Sequence, residues 1–267
     1  MPAGGACCRG AAVAAVLVAA GLLLAGCPES AGRIGNDVCL TCHQGTLAPD
    51  QTSFVTGTHR FLDCETCHGD GQAHVRNGGR GGLFIINPED EPFAENDELC
   101  ERCHPGEADQ YVQSKHYEDE AVRCTGCHDV HEASETRRSF IDNSLCLHCH
   151  GEVEFPTVED IVAHTFHPYD PAGTGASRCT RCHMPPLRRE DQADGPHLHT
   201  FEPIPPIRSN EAIDVGAVSA PPNSCSGTMG CHDGTVPTAP IFNVDNPQDN
   251  IILQIIFDER YGEEEED

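Results

Sequence analysis

The string Cys-x-x-Cys-His occurs six times in this chain, and no other feature of the sequence restricts its structure as much. Two cysteines three positions apart lie on one side of a helical turn. The string is typical of c-type haem attachment, in which both thiols bond to the porphyrin and the histidine ligates the iron. The six motifs are Cys39, Cys42 and His43; Cys64, Cys67 and His68; Cys100, Cys103 and His104; Cys124, Cys127 and His128; Cys146, Cys149 and His150; and Cys179, Cys182 and His183.

A seventh motif is predicted at Cys225-Ser-Gly-Thr-Met-Gly-Cys231-His232, which keeps the Cys-His end but places five residues between its cysteines. We therefore expect seven haem c groups, and six at the minimum. Apart from the cysteines of the first 27 residues, every one of the 17 cysteines belongs to a motif. The sequence accordingly predicts no disulfide framework.

The first 26 residues predict export of the chain. Arg9 is their one charged residue, and the apolar run over 11–26 is shorter than a membrane-spanning helix needs. The run ends in Leu-Ala-Gly-Cys at 24–27, which is similar to the lipobox of bacterial lipoproteins. We expect a signal peptide over 1–26 and a lipid on Cys27, anchoring the protein in the periplasm or outer membrane of a bacterium. An ordinary signal peptide with a chance cysteine and a retained membrane helix are the alternatives.

The composition predicts a fold built around cofactors. The chain has no Trp, 4 Tyr and 10 Phe, but 26 Gly and 20 Pro, which is poor material for a hydrophobic core. We expect a mostly irregular chain with short α-helices and little β-sheet, ordered on a haem stack that supplies the missing apolar surface, and unfolded without it. Three pairs of motifs and a final single one would occupy 27–233. A C-terminal docking segment, with the apolar run Ile251–Phe257, and an acidic tail would occupy 234–267.

The charge of the chain restricts its partners. The sequence has 16 Lys and Arg against 43 Asp and Glu, for a formal net charge of −27. Nucleic acid is therefore not an expected partner. A basic redox protein or a surface-bound cation suits this charge, although solubility alone would also explain it. A terminal reductase, an outer-membrane conduit and self-assembly remain open as partners.

The histidines outside the motifs are candidates for the second axial ligand of each iron. Nine are present, and seven irons would need seven. Two histidines on one iron leave no position for a substrate. The spacing suggests that His59, His116 and one of His164 and His167 close the first, third and fifth haems, whereas His131 and His148 lie too near their own motifs and should serve a neighbour. The candidate ligands are His59, His74, His116, His131, His148, His164, His167 and His199, with His197 as the ninth histidine.

Several segments resemble those of known multihaem cytochromes c with doubled CxxCH motifs. The segments His59–Gly69 and His116–His131 are similar to those of periplasmic decahaem electron carriers. Cys179-Thr-Arg-Cys-His-Met-Pro185, followed by His199-Thr-Phe201, resembles the nitrite-reductase-related cytochromes. The resemblance covers roughly 36–233 and implies haem c attached outside the cytoplasm and electron transfer to terminal reductases or outer-membrane conduits. The seventh motif departs from the usual spacing.

Three functions are consistent with these motifs. The first is an electron carrier with mostly bis-His haems and no enzymatic activity of its own. The second is a reductase of nitrite, hydroxylamine or sulfur oxyanions, which would need one open iron, and the seventh motif is the place where we would expect it. The third is a zinc protein, which the motifs disfavour because they lack the second ligand pair of zinc fingers.

Overall fold

The computed structural model describes residues 33–45, 47, 50–80, 85–132, 136–170, 177–189 and 196–262. The predicted signal peptide, the predicted lipid site at Cys27 and the acidic end over 263–267 lie outside the described residues. The chain divides into Met1–Arg33 and a compact unit, Ile34–Asp267, which contains every described helix.

Short helices separated by irregular segments make up the compact unit. Among the described residues there is no β-strand, and the two isolated antiparallel bridges join His128 to Thr136 and Pro186 to His197. The prediction of a mostly irregular chain with short α-helices is confirmed. The helices are α1 (Asn36–Cys42), α2 (Cys64–His68), α3 (Gln72–Arg76), α4 (Phe93–Glu101), α5 (Pro105–Tyr111), α6 (Lys115–Glu118), α7 (Cys124–Cys127), α8 (Ser144–His150), α9 (Val158–Thr165), α10 (Cys179–His183), α11 (Ile207–Asp214) and α12 (Pro247–Tyr261).

The six regular motifs lie on helical turns. Five of them occupy all or the end of one of the helices α1, α2, α7, α8 and α10, and the chain leaves the helix close to the motif histidine. The third motif begins at Cys100 near the end of α4, and its Cys103 and His104 lie in the turn that follows. After α2 the stop is a glycine, Gly69, whose φ of 74° is a conformation that other residues rarely adopt. After the third motif, Pro105 starts the next helix, where its missing N–H costs nothing. The seventh motif forms turns rather than a helix.

Few hydrophobic side chains are buried in the described part of the chain. The buried hydrophobic residues are Phe54, Tyr111, Ile161, Ala220, Val244 and Leu253. A larger set of polar residues is buried, among them Asn96, Asn143, Asn223 and Asn250. Because apolar burial supplies most of the free energy of folding, a unit of this size with so small a core needs another source of buried apolar surface.

The C-terminal apolar run lies in α12, which packs on α11. Leu253 is 3% exposed, and the Asn250 amide donates a 2.8 Å hydrogen bond to Asn210 of α11. The Gln254 side chain accepts a bond from the backbone N–H of Ile207 at the start of α11. This segment is therefore part of a helix. Within the described part of the chain, no helix combines the length and the apolar character that crossing a membrane would require.

Candidate functional site

A repeated hydrogen bond ties the regular motifs together two by two. Asn36 lies three residues before the first motif, and its side-chain oxygen accepts a 2.7 Å bond from the backbone N–H of Cys64, the first residue of the second motif. Asp97 does the same for Cys124 at 3.2 Å. The third instance joins Asn143 to Cys179 at 2.9 Å. In the sequence, Asn or Asp stands three residues before the first cysteine of motifs one, three and five. The spacing of the motifs alone did not reveal this signal.

The first cysteines of each tied pair contact each other. These contacts join Cys39 to Cys64, Cys100 to Cys124 and Cys146 to Cys179. The neighbouring Cys124 thiol lowers the pKa of Cys100, and Cys100 in turn raises the pKa of Cys124. Burial raises the pKa of Cys64 to about 11. No disulfide bond joins any of the fourteen motif cysteines in the described part of the chain.

The second cysteines connect one pair of motifs to the next. Cys67 of the second motif lies within electrostatic reach of Cys100 and Cys103, so motifs two and three adjoin. Cys127 lies in the same way near Cys146 and Cys149, and Cys182 near Cys231. The seven motifs therefore follow one another in space in the order in which they occur in the sequence.

Six motif histidines each face a histidine from another part of the chain. In three of the ring pairs the planes lie 8–30° apart, and in the other three they lie 55–72° apart. The pairs, with the distances between ring centroids, are His68 with His131 (5.8 Å), His104 with His59 (6.0 Å), His128 with His199 (6.4 Å), His150 with His116 (6.0 Å), His183 with His164 (5.9 Å) and His232 with His167 (6.2 Å).

The separation of these rings matches two ligands on opposite sides of one metal ion. A metal–imidazole bond is about 2 Å long, and the ligating nitrogen lies about 1 Å from the ring centre, which places the two centroids about 6 Å apart. Burial lowers the pKa of His116, His131, His164 and His199, which favours the neutral ring that a metal ligand must have.

The ring pairs differ from the expected assignment. His59 lies against His104 of the third motif rather than closing the first, and His116 lies against His150 of the fifth motif rather than closing the third. His164 and His167 face the sixth and seventh motifs, so neither closes the fifth. Spacing suggested that a histidine would cross the ring of the motif before it. The chain instead carries all four of these histidines forward to a later motif, since successive motifs adjoin in space.

The other candidate ligands occupy three different environments. His43 and His74 are left over by the ring pairs, and the buried Nδ1 atom of each has no hydrogen-bond partner among the described residues. His148 is exposed, and its Nε2 lies 3.1 Å from the Arg138 guanidinium. The His197 ring bonds through Nδ1 to the carbonyl of Met184. The structure brings neither His148 nor His197 against a motif histidine within its described ranges.

The seventh motif is held in place by a buried polar cluster. The Asn223 side-chain oxygen accepts bonds of 2.9 Å from the backbone N–H groups of both Cys225 and Ser226. The Ser224 hydroxyl donates to the carbonyl of Cys182 in the sixth motif. Gly227, with a φ of 96°, lets the longer loop turn where an added Cβ would lie 2.9 Å from Pro222. The longer loop thus brings His232 into the same arrangement as the regular motifs.

These sites suit haem c better than zinc. Six of the seven sites offer two cysteines and two imidazoles across a gap, which is what a covalently attached porphyrin with two axial ligands would require. A structural zinc ion requires four protein ligands. Among the described residues, no three His, Cys, Asp or Glu side chains come close enough together to hold a metal ion by themselves.

Comparison with known proteins gives one similarity of note. A protein described as "Multiheme cytochrome MtrA" from Shewanella baltica (strain OS185) is 26% identical over 163 residues, which is 57% of this chain and 46% of the relative. The chain thus spans less than half the length of that relative. No protein-family model matches the chain, and no solved structure does. The similarity supports a multihaem c-type cytochrome.

Proposed function

We propose that this protein is an electron carrier with seven haem c groups, each ligated by two histidines. The observation that carries the proposal is the set of six imidazole pairs with centroids 5.8–6.4 Å apart, each pair containing a motif histidine. The haem supplies one-electron redox chemistry when it is bound. The remaining motif histidine is His43. We assign His74 to it, because His148 faces Arg138 and the His197 ring bonds to the Met184 carbonyl.

The residues of the chain would fix the cofactors in a continuous row. The cysteine pairs anchor each porphyrin edge, and the contacts between cysteines of successive motifs bring neighbouring edges close together. Ligands donated across motifs, such as His59 to His104, tie each site to another part of the row. Close and rigid spacing is what electron transfer between successive sites needs. With both axial positions held by the chain, no site is left for bond-making chemistry on a substrate.

The charge and the N-terminus bear on partners and location. A formal charge of −27 would attract a basic redox protein and speed its encounter with the row of sites. We propose that the protein is exported and carries a lipid on Cys27 at the cell envelope, as the segment over 24–27 suggests. A terminal reductase or an outer-membrane conduit would suit such a carrier as a partner.

Intact-protein mass spectrometry tests the proposal. The full chain would be produced together with a cytochrome c maturation system, and we expect the mass of the mature chain plus seven haem groups. The double variant C225A/C231A should carry six. A colourless protein, or one with free thiols at the regular motifs, would contradict the proposal.

Electron paramagnetic resonance separates the carrier from the reductase. The reductase requires an open iron, which was expected at the seventh motif, but His167 lies against His232 there. We therefore expect low-spin ferric signals for all seven haems and no carbon monoxide binding by the reduced protein. A stoichiometric high-spin signal would favour the reductase.

A further inference from the structure

The motif histidine of the fifth site has a carboxylate as its hydrogen-bond partner. His150 Nδ1 lies 2.8 Å from Oε2 of Glu154, one helical turn further along the chain. The backbone holds this geometry, because the N–H of Glu154 donates a 3.0 Å bond to the carbonyl of His150. On the other side of the site, the His116 Nδ1 atom is buried without a partner among the described residues.

Other motif histidines make a different bond. His68 donates to the carbonyl of Ile86 at 2.7 Å, His183 to that of Phe201 at 2.8 Å, and His232 to that of Pro240 at 2.9 Å. These acceptors are neutral. The closest comparison is Glu107, whose carboxylate lies 3.9 Å from the Nδ1 atom of His104, beyond hydrogen-bond distance. Glu154 thus gives the fifth site a charged acceptor where the second, sixth and seventh have a peptide oxygen.

The acceptor at Nδ1 controls how strongly an imidazole donates electrons to a metal. A carboxylate pulls the Nδ1 proton toward itself and makes the ring more basic at Nε2 than a carbonyl does. A more basic ligand, and a negative charge nearby, both stabilise the ferric state over the ferrous state. Glu154 also lies within electrostatic reach of His164, a ligand candidate of the sixth site.

We propose that Glu154 sets the potential of the fifth site, and that this site is harder to reduce than the sixth and seventh sites, whose motif histidines donate to carbonyls. The proposal rests on the proposed function, because it requires a haem at each of these sites. Reduction adds one electron from a neighbouring haem to the ferric iron, and the Nδ1 proton stays in the hydrogen bond. An electron that passes from the sixth site to the fifth then takes an uphill step, which makes Glu154 a positioning and tuning residue for electron flow along the row.

Potentiometric titration of the holoprotein, followed by the haem absorption band, tests this proposal with Glu154→Gln. The amide keeps the size of the side chain and removes its charge. We expect about one seventh of the absorbance change to move to higher potential. At a fixed solution potential, the ratio of ferrous to ferric haem at that site should rise about tenfold, which for one electron corresponds to ~59 mV. A smaller shift in a second component would report the sixth site.

Two control variants separate the hydrogen bond from charge alone. Glu152→Gln removes an exposed charge two residues away and should leave the titration curve close to that of the wild type. Glu107→Gln removes a carboxylate that lies near His104 without a hydrogen bond, and it should shift one component by less than Glu154→Gln does. Glu154→Asp keeps the charge but shortens the reach, and it should shift the same component by less than Glu154→Gln does.

Coincidence of the Glu154→Gln and wild-type curves would overturn the proposal, and so would an equal shift in Glu152→Gln. If Glu154→Gln fails to retain its haem, its mass will be lower by one haem, and Glu154→Asp decides instead. A wild-type protein without haem would refute the proposed function itself, whereas a seven-haem protein with coincident curves would refute only the role of Glu154.

Discussion

At the scale of single residues, neighbouring groups rather than sequence position separate ligand histidines from other histidines. His131 lies 5.8 Å from the His68 ring, with the two planes 13° apart. His148 sits inside the fifth motif, yet it faces the Arg138 guanidinium, whose donor nitrogens compete for its lone pair. Both were candidate ligands in the sequence. The contact of His131 with another imidazole now distinguishes it from His148.

Replacing His131 with alanine should leave one haem with a single protein ligand. We expect one high-spin haem per protein in electron paramagnetic resonance, with seven haems still present by mass, because the thioether bonds do not depend on the distal ligand. The reduced variant should bind one equivalent of carbon monoxide. His148→Ala is the matched control and should remain fully low-spin. The assignment would be wrong if His148→Ala gave the high-spin signal and His131→Ala did not.

The surface ion pair between Arg189 and Asp245 contributes to the free energy of unfolding by an amount that depends on pH. Arg189 donates two hydrogen bonds to the Asp245 carboxylate, which also accepts one from the backbone N–H of Ala220. The bond from Arg189 holds the pKa of Asp245 below its usual value. A carboxyl whose pKa is lower in the folded than in the unfolded state stabilises the fold above the unfolded pKa, and this contribution disappears as the pH falls through the folded pKa.

Asp245→Asn should therefore lower the free energy of unfolding at pH 7 by about 0.2–1 kcal/mol, the usual range for an exposed pair. The difference from the wild type should shrink as the pH falls below about 4, where the carboxyl becomes protonated. Denaturant titrations of both holoproteins at several pH values measure this difference in unfolding free energy. Asp214→Asn, at an exposed position in α11, is the control. A difference that stayed constant down to pH 2 would mean that charge is not its source.

At the scale of elements, the pairing of motifs depends on one polar residue before each of motifs one, three and five. Asn143 is 2% exposed, and it links two helices: its amide donates to the Ser177 carbonyl and its oxygen accepts from Cys179. Its φ of 65° is left-handed, a conformation that asparagine tolerates better than other non-glycine residues. The bond spans 36 residues of chain, so it fixes the fifth and sixth motifs relative to each other.

Asn143→Ala should destabilise the pairing of α8 with α10. The variant leaves the backbone N–H of Cys179 without its acceptor and places alanine at a positive φ, which together should cost about 1–3 kcal/mol of unfolding free energy. Asn77→Ala removes one exposed bond, to the Arg80 carbonyl, and should change the stability by less than 0.5 kcal/mol, roughly the effect of an ordinary surface substitution. Equal effects of the two substitutions in denaturant titrations would contradict a role for Asn143 in pairing.

The sequence predicted local structure well and long-range contacts poorly. A helical turn at each regular motif, as at α2 and α10, follows from the spacing of the cysteines within a few residues. The partner of His59 could not be predicted in this way, because its contact with His104 depends on how two tied pairs of motifs stack. The number of residues between a histidine and a motif shows which motifs that histidine can reach. The packing of distant segments decides which motif it contacts.

At the scale of the whole molecule, the row of motifs takes the place of a hydrophobic core. The described part of the chain buries more polar than hydrophobic side chains. Buried amides such as Asn223 are satisfied by hydrogen bonds, but such bonds contribute little net stability. Each haem would bring a large apolar surface between two histidines and thereby contribute the burial that the side chains lack. The cofactors would then be structural as well as redox groups.

The chain should therefore not reach a stable fold without its cofactors. Expressed without a cytochrome c maturation system, it should show no cooperative unfolding transition in denaturant and should be digested rapidly by protease, whereas the seven-haem protein should resist digestion. The variant C225A/C231A tests whether the loss of one haem weakens the fold only near its own site. Losing one site of the row should weaken the region where Ser224 bonds to the sixth motif, while α2 and α4 at the other motifs stay protected from hydrogen exchange. A colourless chain that unfolds cooperatively would show that the side chains alone suffice, and the cofactors would then have no structural role.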